Sequence, residues 1–189
     1  MMKLIGLSGT NGSGKDTVGE LIAERYNYLF VSVSDLLRIE LRKRGLEVTR
    51  ENLRNLSAEW RREGGLGALV DMAIELFRSS GGEHKGLAIA SIRNPGEVTR
   101  VHELKGTIVW VDADPRIRYA RIQDASRGRG GEDTKTYEEF LAEEVAEMHA
   151  SGDAATLDMS YVKAHSDVTI LNESDLEHLQ KATEAALGL

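Results

Sequence analysis

Two periods of apolar and polar positions alternate along this chain. The runs K-L-I-G-L-S (3–8), Y-L-F-V-S-V (28–33), G-L-A-I-A-S-I (86–92), G-T-I-V-W-V-D (106–112) and D-V-T-I-L (167–171) are short and nearly continuous in apolar residues. That is the pattern of strands buried on both faces. Between them the period is helical. Val18, Leu21, Ile22 and Tyr26 share one face, as do Leu53, Leu56 and Trp60. Leu66, Leu69, Val70, Ala73, Ile74 and Phe77 form the next stripe. Tyr137, Phe140, Leu141, Val145 and Met148 form another, and Leu176, Leu179, Thr183 and Leu187 the last.

The boundary residues agree with this division. Ser34 is expected to cap a helix over 35–44 that Gly45 ends. Helices are expected at 50–62 and 66–79, separated by Gly64-Gly65. Asn94-Pro95-Gly96-Glu97 combines a cap, a proline at the first helical position and a glutamate that closes a capping box. Asp114-Pro115 opens another helix, and Ser174 to Glu177 reads as a capping box for the last. The stretch S-R-G-R-G-G-E-D (126–133) reads as a loop, and 151–164 carries no decisive pattern. Strands alternating with helices predict an α/β fold, a parallel sheet covered on both faces. In such sheets ligands bind beyond the carboxyl ends of the strands. Residues 9–15, Ser34-Asp35, Arg93 and Asp112-Ala113 are all expected there.

The stretch after the first strand carries the chemistry. Gly9-Thr10-Asn11-Gly12-Ser13-Gly14-Lys15 spells G-x-x-x-x-G-K and leads into a helix through Asp16 and Thr17. Glycines let successive N–H groups point inward and let a phosphate approach without a Cβ in the way. The helix start adds N–H donors and the positive end of its dipole. Lys15 supplies a flexible charge for the β- and γ-phosphates. The position after Lys15 usually holds a Ser or Thr that ligates Mg²⁺. Here it is Asp16, so direct hydroxyl coordination is not expected. Asp16 would hold a metal-bound water, or only favour the helix start.

Composition narrows the reading further. At 189 residues the chain suffices for one domain with a substantial core. A net charge of −7 argues against general nucleic-acid binding. Cysteine is absent, which removes disulfides and thiolate metal sites and fits a reducing compartment. No apolar run is long enough to span a membrane, and no signal-peptide pattern precedes the first strand. A cytoplasmic location is therefore expected. The five histidines show no metal-ligand spacing.

Taken together, these segments resemble the P-loop nucleotide and small-molecule kinases of the adenylate kinase type. The loop G-T-N-G-S-G-K-D-T is similar to the S-G-K-D-T of phage deoxynucleoside monophosphate kinases. S-V-S-D-L-L-R (32–38) looks like the S-T-G-D-M-L-R of adenylate kinases. S-I-R-N-P-G-E-V (91–98) resembles a stretch of archaeal dephospho-CoA-kinase-like proteins, as does D-V-T-I-L-N-E-S-D-L-E near the end. The resemblance implies a three-layer P-loop NTPase fold with a five-stranded parallel sheet and helices on both faces. It implies a single domain over 1–189, with a small helical acceptor-binding region over 35–80 and a mobile lid over 121–150. The implied reaction is transfer of the γ-phosphoryl group of ATP, with Mg²⁺, to a small phosphorylated acceptor. A nucleoside monophosphate (possibly deoxy) comes first. A dephospho-CoA kinase and a non-catalytic ATP-binding switch are the alternatives.

Roles follow from the same resemblance. Lys15 would hold the β- and γ-phosphates, Arg38 and Arg93 the acceptor phosphate, and Ser34 would line that site. Asp35 would face the acceptor or, with Asp16, the waters of Mg²⁺. In a kinase with a hydroxyl acceptor Asp35 would serve as base. Arg121, with Arg127 and Arg129, would neutralise the transferring group from the lid, and Arg61 and Arg62 are weaker acceptor candidates. The physical need is general: two anionic substrates held in line, with planar, permanently charged arginine forks over the phosphate oxygens. One departure stands out. The related archaeal proteins end the third strand with aspartate, where this chain has Ala90-Ser91. Asp16, Asp35 or Asp112 would have to compensate.

Overall fold

The computed structural model describes residues 3–124, 135–148 and 152–189. The apolar runs form β1 (Lys3–Ser8), β2 (Tyr28–Ser32), β3 (Gly86–Ala90), β4 (Thr107–Asp112) and β5 (Val168–Leu171). They make one parallel sheet in the order β2-β3-β1-β4-β5. The helices are α1 (Lys15–Tyr26), α2 (Val33–Lys43), α3 (Arg50–Gly64), α4 (Ala68–Ser79) and α5 (Pro95–Glu103). They continue with α6 (Pro115–Gln123), α7 (Tyr137–Met148), α8 (Met159–Ala164) and α9 (Leu176–Leu187). This is the expected α/β architecture, with the loop after β1 at the carboxyl edge of the central strand.

Apolar side chains on the two faces of the sheet form two cores. One gathers Leu4, Leu87, Ile89, Ile108 and Trp110 from the strands with α2 to α5 and α8. The other packs Ile5, Leu7, Val109, Val111 and Ile170 against Val18 and Ile22 of α1 and Leu179 of α9. Burial on both faces explains why β1, β3 and β4 read as continuous apolar runs rather than alternating ones.

Several local expectations are corrected. Ser32 caps α2 by position, so Ser34 falls inside the first turn, where its hydroxyl donates to Ser91 Oγ at 2.9 Å. Helix α9 is capped by Asp175, which accepts from His178 N–H, and not by Ser174. Leu176 is consequently exposed. Leu66 precedes α4 and is also exposed. Val145 points to solvent, because the inward face of α7 is shared between Phe140 and a set of glutamates. The Asn94–Glu97 capping box forms as the residues imply.

Glu97 does more than cap α5. Its Oε1 accepts from Nε and Nη2 of Arg61 at 2.9 and 2.8 Å, and its Oε2 accepts from the N–H groups of Arg93 and Asn94 at 2.7 and 3.1 Å. Arg61 Nη1 donates to Ser57 Oγ and to Ala155 O. Both side chains are 1% exposed. A buried ion pair of this kind survives only when the remaining donors and acceptors are satisfied. Here they are, and the result is a tie between α3, the segment after β3 and the chain before α8. Replacing Glu97 with Ala leaves the Arg61 guanidinium buried without its partner. The expected loss of stability is about 3–5 kcal/mol, read from the urea midpoint; a shift near zero would show the tie to be dispensable.

Candidate functional site

The glycine loop closes around its own backbone. Gly9, Gly12 and Gly14 take φ of 140°, 79° and 90°. A Cβ on Gly12 would lie 2.4 Å from Arg118 O, and one on Gly14 would lie 2.2 Å from Asn172 Nδ2. So α6 and the loop after β5 press directly on the phosphate loop, and only glycine fits. Asn172 fixes the contact: its Nδ2 donates to Ser13 O at 2.8 Å and its backbone N–H to Asp112 O at 2.8 Å. The hydroxyls of Thr10 and Ser13 are buried and lack hydrogen-bond partners. Buried hydroxyls seldom stay unpaired. Together with Lys15 and the first N–H groups of α1, they form a donor set suited to phosphate.

Two cavities meet at Lys15 and Asp16. The first is an open groove of about 360 Å³ that runs past Gly12, Gly14, Thr17 and Glu20 to Arg121 and Asp124. The second lies beyond the carboxyl ends of β2 and β3, with a volume of about 60 Å³. Its walls carry Asn11, Ser34 and Ser91, and the cations Arg38, Arg50, Arg54, Arg61 and Arg93. The structure thus brings Lys15, Asp16, Ser34, Arg38 and Arg93 to one cavity, as the topology of the sheet implies.

Arginines at this density need carboxylates. Arg38 donates to Asp35 at 2.8 Å, and Arg61 belongs to Glu97. Arg93 Nη1 donates to Glu147 Oε2 at 3.0 Å. Arg50 lies 3.5 Å from both Glu143 and Glu147. Burial pushes the Glu147 carboxyl up, but Arg93, then Arg50, Arg54 and Lys15, outweigh it and hold its pKa below the ordinary 4.5. Glu147 arrives from α7, whose start is anchored on α6 by the rings of Tyr119, Tyr137 and Phe140 and by the Arg118–Glu144 ion pair.

Other expected residues sit elsewhere. Asp35 is more than half exposed on the outer side of α2 and lines neither cavity. Arg121 belongs to α6. Its guanidinium bonds to Asn172 O at 2.9 Å and weakly to Gly12 O at 3.4 Å, clamping the phosphate loop rather than reaching the arginine cavity. Burial lowers its pKa, opposed by Glu173. Arg62 is exposed and pairs with Asp153. Asp112 is bound by Lys163 at 2.9 Å and Trp110 at 3.2 Å. Burial raises its carboxyl, yet these donors hold its pKa below the ordinary value. Arg127 and Arg129 lie outside the described residues. Among the described residues no cluster of His, Cys, Asp or Glu is arranged to hold a metal ion, and no helix is long and apolar enough to cross a membrane.

Ala90 ends β3 where the resemblance implies aspartate, and the next residue, Ser91, takes φ of 75°. That region is sparsely populated for a residue with a side chain. Its N–H and that of Ile92 both reach Leu7 O, at 3.0 and 3.2 Å. The turn aims the following residue, Arg93, toward the cavity. Arg50, Arg54 and Glu147 were not found by sequence reasoning. The helical spacing of Arg50 and Arg54 on α3 was visible, but nothing local relates them to a glutamate on α7.

Comparison with known proteins places this geometry. Residues 5–146 match the AAA domain family. The chain is 30% identical over 186 residues to a UPF0200 protein of Hyperthermus butylicus, covering 98% of this chain and 93% of that one. It is 29% identical over 177 residues to one of Methanocaldococcus jannaschii, covering 93% and 84%. In structure it is similar to a shikimate kinase from Bacteroides thetaiotaomicron, with a TM-score of 0.62 at 14% identity over 98% of this chain and 96% of the other. A gluconokinase from Sinorhizobium meliloti gives 0.54 at 17% identity, over 98% and 91%. At these identities the likeness shows the fold, that of the P-loop kinases.

The Glu147 pKa carries a stability consequence. Its folded value lies below its unfolded one, so its contribution is present above the unfolded value and is lost as pH falls through the folded value. Glu147→Gln, which keeps the shape but weakens charge-assisted hydrogen bonds, is expected to lower stability by roughly 2 kcal/mol at neutral pH. The gap to the wild type should narrow below the ordinary 4.5 as the native carboxyl protonates. Urea melts of both proteins at a series of pH values check this; a gap that stays constant into acid would contradict it.

Proposed function

This chain belongs to the AAA domain family and to the UPF0200 proteins, and from that premise we propose that it transfers the γ-phosphoryl group of ATP to a small phosphorylated acceptor. A nucleoside monophosphate, ribo or deoxy, is the first candidate. One observation carries the reading: the phosphate loop with Lys15 opens directly onto a cavity walled by Arg38, Arg50, Arg54 and Arg93. A donor site for triphosphate beside a site of several guanidiniums suits two phosphate-bearing substrates meeting end to end.

In this reading ATP lies along the open groove, with its phosphates on residues 9–17. Lys15 stays with the β- and γ-phosphates as the terminal group moves. The acceptor phosphate takes the guanidiniums of Arg93 and Arg50, with Arg38 and Arg54 beside it, and Ser34 lines its approach. Helices α2 to α4 form the acceptor side, and α7 acts as the lid that excludes water. Arg121 serves by holding the phosphate loop in shape. Mg²⁺ arriving with the nucleotide would meet Asp16, which borders both cavities, and would supply charge neutralisation between the phosphates.

The position of Asp35 separates this reading from its neighbour. A hydroxyl acceptor calls for a base, and the Asp35 carboxylate is turned outward onto Arg38. A phosphate acceptor is already ionised and needs none. The absence of Asp35 from the cavity lining favours a mononucleotide over dephospho-CoA.

Three outcomes are expected. In an ADP-release assay with ATP and Mg²⁺, a phosphorylated acceptor from a panel of nucleoside monophosphates, nucleosides, shikimate, gluconate and dephospho-CoA should raise the rate far above the acceptor-free rate. A flat panel, or a response to an unphosphorylated acceptor alone, would contradict the reading. Lys15→Ala should abolish turnover while its melting transition stays cooperative, and Arg93→Ala should raise the acceptor KM by at least about tenfold. An acceptor KM unchanged in Arg93→Ala would remove that residue from the site.

A further inference from the structure

We propose that Glu147 determines acceptor specificity. Its carboxylate occupies the anion position of the arginine cavity, and only a phosphate dianion, not a carboxylate, displaces it. The inference rests on the reading of that cavity as the acceptor site.

The geometry is that of an occupied anion site. Glu147 is 5% exposed, and its two oxygens face Arg93 at 3.0 Å and Arg50 at 3.5 Å, with Arg54 and Lys15 close enough to act on its charge. Arg38 and Arg61 carry their own carboxylates, Asp35 and Glu97, and Arg50 also reaches Glu143. Among the described residues Glu147 is the carboxylate paired with Arg93, and it also balances Arg50. Arg93 Nε is buried without a hydrogen-bond partner. A carboxylate with two oxygens leaves that donor unused, whereas a phosphate brings three terminal oxygens.

Volume supports exchange. At about 60 Å³ the cavity is far below the ~300 Å³ of an ordinary small-ligand pocket. A groove of about 670 Å³ along α3 lies next to it, and the two share Arg54, Glu147 and Leu157 as walls. Glu147 is thus part of the partition. Swinging its side chain out of the inner cavity toward the groove frees the guanidiniums and joins the two spaces. The carboxylate regains water as the ligand gives up its own.

The exchange discriminates by charge. An acceptor carboxylate would replace one monoanion with another on the same guanidiniums. It gains nothing there to offset the translational and rotational freedom lost on binding. A phosphate carries a charge of about −1.5 to −2 near neutral pH and an additional oxygen, so it gains on both counts. The site therefore rejects carboxylate acceptors and accepts phosphate monoesters.

The test uses inorganic phosphate and acetate as probes, by calorimetric titration of the full chain with the phosphate loop saturated by ADP. Wild type is expected to bind phosphate and not acetate. Glu147→Gln is expected to bind phosphate about tenfold more tightly and to bind acetate detectably. Arg93→Gln should lose phosphate binding. Phosphate affinity unchanged or weakened in Glu147→Gln, acetate still excluded there, or phosphate binding retained in Arg93→Gln would overturn the proposal. So would the absence of phosphate binding to wild type. A measurement on the wild type guards against misfolding of the variant. The ¹³C resonance of the Glu147 carboxyl carbon should move with phosphate saturation toward that of a solvated glutamate, and a resonance that stays fixed refutes the exchange. Exchange without phosphoryl transfer to any acceptor would leave the displacement of Glu147 by phosphate standing and remove the kinase reading. Transfer to a phosphorylated acceptor with no effect of Glu147→Gln on binding would do the reverse.

Discussion

Glu97 accepts hydrogen bonds from the Arg61 guanidinium and from the backbone N–H groups of Arg93 and Asn94, and the site takes its shape from that carboxylate. It is buried, so it is costly unless every lone pair is used. The requirement forces α3 against the turn after β3 and fixes where Arg93 leaves the sheet. Asn94 continues the tie, donating to Ala154 O and Thr156 O at 2.7 Å, and Asp158 N–H returns to Arg93 O. Three parts of the chain far apart in sequence thus meet around one carboxylate. The arginines of α3 face the phosphate loop because of it.

The second constraint is charge balance. The guanidiniums that line the cavity beside the phosphate loop repel one another unless anions balance them. The chain answers with its own carboxylates, and it does so at two levels. Arg61 is neutralised permanently by Glu97, deep in the core. Arg93 and Arg50 are neutralised by Glu147 on α7, an element that rests on α6 through a cluster of rings and on the core through Met148. The Glu147–Arg93 pair is also largely buried, but unlike the Glu97 pair it leaves a donor, Arg93 Nε, without a partner. The Glu97 pair sets the architecture, and the α7 pair is the less completely satisfied of the two.

How much of this was legible in the sequence differs by link. The strands, the glycine loop and the Asn94–Glu97 cap rest on local rules, in which neighbouring residues supply the partners, and they appear where the residues imply. The cap at Ser174 was misplaced because Asp175 lies next to it and takes the role, and α2 starts directly from β2 at Val33, with no side-chain cap from Ser32. Val145 and Leu176 sit at apolar spacing yet face solvent, since α7 turns its glutamates inward and α9 meets the sheet only from Leu179 onward. Arg93 follows a strand at the carboxyl edge, so the topology located it, whereas Arg38 was found through the resemblance of the 32–38 segment. Asp35 is the neighbour of Ser34, which lines the cavity, but that single helical step leaves the Asp35 carboxylate more than half exposed. Arg50, Arg54 and Glu147 could not be read, because their relation spans α3 and α7 and exists only through packing.

The central claim is that the phosphate loop and the arginine cavity form one site for two phosphate-bearing substrates. The most direct measurement is the affinity of a dinucleoside polyphosphate, in which donor and acceptor are joined through their phosphates, compared with that of ATP on the wild type and on Arg93→Ala. The expected result is binding of the joined molecule more tightly than ATP by orders of magnitude, with most of that gain lost in Arg93→Ala and ATP affinity unaffected. A joined molecule that binds no more tightly than ATP, or whose gain survives the loss of Arg93, would contradict a shared site.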